Sequence, residues 1–297
     1  MDREQAAAYS ALVTVQLLFA TLPVAMKFGL EELHPTVFVA IRVAAGAGLL
    51  FALERLVHAS QIPSVSDLGR LALYAVFGVT LNMVLFVWGL DLSTAVNATL
   101  LMTMIPVFTY AIALIAGQEF FAIPRAAGIL VALAGVAVLL DPRRFSLGDS
   151  TLLGNLLILV NTLAYSIYLV ISRPILTRIE PLTAIAWIFL FGAFMLVPLG
   201  LFQAGAGAFL VSGRSAIILT YIVIGPTVSV YALNLWALER VASSTVAAFI
   251  YLQPIAGVAL AWWLLGEPVH ARTFVAGALV FAGVGLVTLL DPDSEPA

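Results

Sequence analysis

The sequence predicts an all-α membrane protein of ten transmembrane helices, built as two inverted five-helix repeats over residues 1–146 and 147–297. Three observations carry this reading. Hydrophobic residues make up 63% of the chain and charged residues only 10%, against roughly 25% charged in soluble domains. The apolar residues run all round each predicted helix, with no polar face of the kind a soluble helix shows. And the chain states one pattern twice. Phe19, Lys27 and Pro35 return 146 residues later as Tyr165, Arg173 and Pro181, and Trp88, Pro106 and Glu119 return after 148 as Trp236, Pro254 and Glu267. Five spans per half is an odd number, so the second copy must enter the bilayer from the opposite side.

Uncharged runs long enough to cross about 30 Å of hydrocarbon define eight spans in order: Gln5–Met26, Leu71–Leu90, Leu92–Gln118, Ser150–Ser172, Pro181–Gly213, Ser215–Leu238, Val241–Gly266 and Thr273–Leu290. Two more carry a single arginine each: Pro35–Leu53 with Arg42, and Phe120–Leu140 with Arg125. The first span is too long for a cleaved signal peptide and lacks a basic n-region. The connecting stretches are too short to fold as extramembrane domains. Basic residues distribute seven to five in favour of both termini in the cytoplasm of a cytoplasmic-membrane protein.

Several function classes fall away on composition. The chain has no cysteine, which excludes disulfides and thiolate metal sites. His34, His58 and His270 lack metal-ligand spacing, so neither a metal nor a cofactor is expected. A net charge of −3 without a basic stripe gives no support to nucleic-acid binding. A membrane enzyme would need ionisable groups converging at one depth, and Arg42 is the deepest charge in the chain.

Polar residues inside hydrocarbon are costly and so mark function by default. In the fourth span Thr99, Thr103, Pro106 and Tyr110 fall on one helical stripe, and Tyr251 and Pro254 stand in the matching stripe of the ninth. Thr227, Tyr231 and Asn234 share a face of the eighth span; Asn161, Tyr165, Tyr168 and Ser172 share one of the sixth. Gln16 and Phe19 lie on one face of the first span, and the third contributes Asn82. Together with Arg42 these predict a central cavity of aromatics and amides, suited to a planar or zwitterionic small molecule. The alternative role for Asn, Thr and Tyr is interhelical hydrogen bonding. Arg42 either snorkels outward or faces the cavity. Pro106 and Pro254 each remove a backbone hydrogen bond mid-helix and predict paired hinges. Lys27 and Arg173 are expected to snorkel to the headgroups, and Glu119 and Glu267 to cap helices or pair with basic groups. With no carboxylate deep in any span, proton coupling would fall to Glu119 or Glu267. Gly128, Gly135, Gly277 and Gly283 predict close helix packing; the same faces would also allow a homodimer in place of a monomer.

The residues also carry a family resemblance. Leu18-Phe19-Ala20 with Lys27, Pro35 and Arg42, then Pro106, Gln118-Glu119 and a glycine-rich last helix in the first half, are answered by Pro254, Leu265-Gly266-Glu267-Pro268 and Gly277 to Gly283 in the second. The chain resembles the EamA family of the drug/metabolite transporter superfamily over essentially its whole length. That resemblance implies a lipid-embedded carrier of small organic solutes, often outward, by alternating access. Phe19 and Tyr165 stand where the family commonly has Trp, and Gln118 replaces the Gly of the first Gly-Glu pair. Other readings are an exchanger of phosphorylated or nucleotide-linked metabolites, which would need several cations facing the cavity, and a membrane organising protein without transport.

Overall fold

The computed structural model describes residues 3–57, 62–140, 149–175, 178–204, 210–238, 240, 249 and 252–289. The repeat boundary after residue 146 and Tyr251 lie outside them. Eight helical segments are long and apolar enough to cross a membrane, and two shorter ones, Gly213–Ser229 and Leu252–Leu265, complete the ten spans. Span one is α1 (Arg3–Leu30) and span two is α2 (Pro35–Val57). Span three joins α3 (Val65–Ala75), a π-helical segment Val76–Leu81 and α4 (Asn82–Leu92). Span four is split into α5 (Ala95–Met102) and α6 (Ile105–Ile115). Spans five, six and seven are α7 (Ile123–Leu140), α8 (Ser150–Ser172) and α9 (Pro181–Ala204). Span eight joins α10 (Gly213–Ile222), a π segment Val223–Ser229 and α11 (Val230–Leu238). Spans nine and ten contain α12 (Leu252–Leu265) and α13 (Ala271–Leu289).

The helix starts are legible in side-chain chemistry. The first N–H groups of a helix have no partner within it, and an oxygen at the N-cap supplies one. Ser64 accepts from the Asp67 amide at 3.2 Å, Thr94 from Asn97 at 3.0 Å, Asp149 from Thr151 at 2.9 Å, and Ser212 from Ser215 at 3.1 Å. The Ser64 cap extends span three six residues beyond the uncharged run, down to Val65, because Asp67 and Arg70 are tolerated in a turn outside hydrocarbon. After span four the chain reverses through Gly117 (φ 68°), and after α12 through Gly266 (φ 64°), backbone conformations glycine adopts without cost. Gln118 replaces a glycine because Gly117, one residue earlier, supplies the reversal.

Repeat-related helices pack against one another antiparallel, which makes the repeats inverted. Between α2 and α9, Thr36 donates to Gln203 at 2.6 Å near one end while Thr183 donates to the buried Glu54 at 3.2 Å near the other. Between α7 and α13 the contact is backbone on backbone. A Cβ on Gly128 would stand 2.7 Å from the Gly283 carbonyl oxygen, and one on Gly135 2.8 Å from that of Ala276. Ala276 and Gly283 are the repeat mates of Gly128 and Gly135, so the seam is its own image. The small-residue faces that would join two copies are therefore used within one chain. Side-chain contacts keep the same symmetry at the centre. A Cβ on Gly46 would meet Phe189 at 3.2 Å and Thr227 at 3.6 Å; a Cβ on its mate Gly192 would meet Val43 at 3.5 Å and, more closely, Val79, the mates of those two residues.

Candidate functional site: interrupted spans at the centre

Three interruptions lie near mid-span. The π segments at Val76–Leu81 and Val223–Ser229 coincide under the 148-residue repeat. Each adds a residue to the turn and displaces the backbone hydrogen-bond ladder, a feature frequent at functional sites. Thr227 shows the consequence, its hydroxyl donating five residues back to the Ile222 carbonyl at 3.0 Å. Span eight carries a local cause in Gly225-Pro226. Span three has Gly78, over which the Tyr168 ring lies so closely that a Cβ would stand 2.7 Å from it.

The third interruption changes the reading of span four. The stripe Thr99–Thr103–Pro106–Tyr110 presumes a continuous helix, but the helix stops at Met102 and restarts at Ile105. Thr103 turns its hydroxyl back to the Leu100 carbonyl at 2.6 Å. Pro106 stands in the first turn of α6, directly after the interruption, where its missing N–H is accommodated. Pro254 lies in α12. Tyr110 falls on a different helix from Thr99. Its hydroxyl donates to Phe120 O at 3.0 Å and accepts from the Ala122 amide at 3.2 Å, while Arg125 stacks on its ring at 5.0 Å. Tyr110 therefore ties down the α6–α7 junction.

The other residues divide by what their polar atoms touch. Asn161 donates to the Asn82 carbonyl at 2.6 Å and joins α8 to the start of α4. Asn82 takes part through its backbone. The Tyr165 and Tyr168 rings lie 5.5 Å apart on α8. Phe19 is partly buried on α1. Arg42 is only 6% exposed and directs Nη1 to Met26 Sδ at 3.8 Å, so it packs against α1 and does not reach the headgroups. Four other buried side-chain oxygens have no hydrogen-bond partner: Gln16 Oε1, Thr99 Oγ1, Thr109 Oγ1 and Asn234 Oδ1. Buried polar atoms are nearly always satisfied; the two amide oxygens can only accept, whereas the two threonine hydroxyls can donate or accept. Gln16 is 3% exposed. Tyr231 lies on α11.

At the helix ends the repeated spacing of charges resolves into specific contacts. Glu267 receives the Ala95 and Val96 amides, one on each carboxylate oxygen, both at 2.8 Å. It thus satisfies orphan N–H groups of α5 from the opposite repeat. Lys27, expected at the headgroups, instead donates to the Ser93 carbonyl at 2.6 Å, at the C-terminal end of α4, where a cation complements unpaired carbonyls. Glu119 pairs with the buried Arg125 at 3.1 Å. Among the described residues no group of His, Asp and Glu could hold a metal ion. The π segments, the α5 cap and a polar cluster around Glu32 escaped the sequence reading; Gly225-Pro226 and the Ser64/Ser212 pair were the signals available for them.

Comparison with known proteins gives a consistent picture. The model of the EamA-like transporter family matches residues 6–141 and again 152–289. An uncharacterized transporter of Archaeoglobus fulgidus is 28% identical, over 93% of this chain and 96% of its own. A protein of Streptantibioticus cattleyicolor named "probable terminal-alkyne amino-acid exporter" is 26% identical, over 76% of this chain and 74% of its own. A crystal structure covering 97% of this chain and 99% of its own superposes with a TM-score of 0.67 at 20% identity, a likeness of fold alone.

Proposed function

Because the chain belongs to the EamA-like transporter family, we propose that this multi-pass membrane transporter carries small organic metabolites, amino-acid-like or aromatic, outward across the cytoplasmic membrane by alternating access. Both termini then lie in the cytoplasm, with residues 31–34 on the outer face. The observation that carries the reading is the placement of the interruptions. Repeat-related π segments and the α5–α6 break fall mid-span, on the elements that bear unpartnered Thr99, Thr109 and Asn234 and beside the helix that bears Gln16. Inverted-repeat transporters bind substrate at such broken helices near the midplane. Two amide oxygens there favour a ligand with N–H donors, such as an ammonium group, and Phe19, Tyr165 and Tyr168 offer rings for an apolar or aromatic part. The outward direction is supported by the exporter among its relatives.

The exchanger of phosphorylated metabolites is less favoured, since a dianionic group needs several cations and Arg42 is the one basic residue buried in the middle of a described span.

Thermal-shift screening of the purified protein against amino acids, amines and aromatic metabolites tests the proposal, because a bound ligand stabilises the folded state by mass action. A hit should lose affinity by about 0.5–1.5 kcal/mol in Gln16→Leu or Asn234→Leu while the ligand-free melting temperature holds. Lowered stability with unaltered affinity would place both residues in helix packing and overturn the site.

A further inference from the structure

The short α1–α2 turn is fastened to the start of span eight. Glu32 accepts hydrogen bonds from the hydroxyls of Ser212 and Ser215, the latter at 2.5 Å. Arg214 lies 3.6 Å from Glu32 and 2.8 Å from Glu31. Ser212 also caps α10, so one carboxylate joins a turn of the first repeat to a helix start of the second.

The repeat register identifies the matching residues on the opposite face. Arg178 stands 146 residues after Glu32, while Ser64 and Asp67 stand 148 before Ser212 and Ser215. Ser64 caps α3 as Ser212 caps α10. The chemistry is exchanged between the faces. One has its carboxylate on the turn and its donors on the helix start; the other has a guanidinium on the turn and a carboxylate on the helix start. Both sets are complementary, yet only one is engaged. Asp67 is occupied within its own helix, accepting from Ser64 at 2.7 Å and facing Arg70 at 3.7 Å. Arg178 is exposed and, among the described residues, makes no ion pair.

We infer that these are two alternating latches: Glu32 with Ser212, Ser215 and Arg214 holds one face shut in the conformation seen, and Asp67 with Arg178 holds the other face shut when the first releases. The inference rests on the alternating-access reading. In inverted repeats the two end states arise by the repeats exchanging roles, so a contact made on one face in one state has its repeat mate made on the other face in the other state. Exposed ion pairs are individually weak, which suits a contact that must form and break in every cycle.

The chain has no cysteine, so a cross-link can be placed freely. Ser66→Cys with Glu180→Cys, beside Asp67 and Arg178, would be treated with a short bismaleimide in proteoliposomes. The yield should be low in this background and rise several-fold on adding Glu32→Ala, which undoes the first latch. Asp67→Asn should cancel that rise, and the exchange Asp67→Arg with Arg178→Asp should bring it back. Should Glu32→Ala elute aggregated, Ser215→Ala removes a donor to the same carboxylate and serves in its place. An unchanged yield on releasing the first latch, or a rise that survives Asp67→Asn, overturns the inference. The cross-link needs no substrate, so a metabolite screen without hits would count against the substrate reading and leave this result standing.

Discussion

Replacing Glu267 with alanine isolates a contact made across the two repeats. The carboxylate accepts two backbone N–H groups of α5 at 2.8 Å each. In a dry interior, hydrogen bonds to a charged group contribute about 1.5–3 kcal/mol apiece. Glu267 is only half-buried at a helix end, where water can replace part of that, and the scale of measured N-caps, about 0.5–2 kcal/mol, applies instead. Loss of both bonds in Glu267→Ala should then cost about 2 kcal/mol, a drop in melting temperature on the order of 5 °C. Glu267→Gln keeps one acceptor oxygen, loses the charge, and should fall between alanine and the native residue. The measurement is thermal unfolding of the purified variants in detergent, with and without a ligand found by screening. A native melting temperature in Glu267→Ala would refute the cap. Equal losses for alanine and glutamine would refute the division of the carboxylate between two amides.

Other consequences are as direct. Gly283→Val should be more damaging than any polar change, because a Cβ there would run into the Ala132 amide nitrogen and the Gly128 carbonyl oxygen; backbone cannot yield as a side chain does, and a loss of about 1–3 kcal/mol or failure to fold is expected, read as melting temperature and expression. Asn161→Leu leaves the Asn82 carbonyl without its donor and should cost about 1–3 kcal/mol in unfolding experiments, whereas Asn82→Leu, which keeps that carbonyl, should cost less. Glu32 should hold its charge to lower pH than an ordinary carboxylate, because hydrogen bonds from Ser212 and then Ser215, with Arg214 nearby, depress its pKa against the opposing effect of desolvation. A group depressed in the folded state contributes stability that is present above its unfolded pKa and lost as pH falls through the folded value. A pH series of melting temperatures should therefore show a step below the usual carboxylate range that vanishes in Glu32→Gln. For topology, an impermeant thiol reagent applied from outside should label Glu32→Cys and leave Arg178→Cys unlabelled; labelling of both from one side would contradict the inverted arrangement.

The fold was legible in the sequence because hydrocarbon imposes coarse rules: length, lack of charge, and satisfaction of the backbone within each helix. The duplicated spacing then gave the inversion by parity alone. Glycines announced the α7–α13 seam because only small residues let backbones meet. The candidate site was less legible, for identifiable reasons. A stripe at i, i+4, i+7 and i+11 holds only along an unbroken helix, and the break after Met102 sends Tyr110 away from Thr99. A π segment needs one extra residue in a turn, which an apolar run does not register. Lys27 looked like a headgroup anchor since periodicity cannot show that the unpaired end of α4, in another part of the chain, lies within its reach.

Where the repeats agree and where they part bears on which joints can move. The α7–α13 seam is locked by backbone contact, and any slide there would drive carbonyls into Cα atoms. The α2–α9 pair is pinned near both ends, by Thr36 with Gln203 and by Thr183 with Glu54. Spans three, four and eight are otherwise. Each already gives up regular helical bonds, at Val76–Leu81, at residues 103–104 and at Val223–Ser229, so bending them further breaks little that is made. Glu267 holds one end of α5 and Glu32 one end of α10, which leaves the interruptions as the free ends of short levers. Under the proposed alternating access, an inverted-repeat protein needs a fixed frame with yielding elements inside it, and this distribution of tight seams and broken helices would supply both.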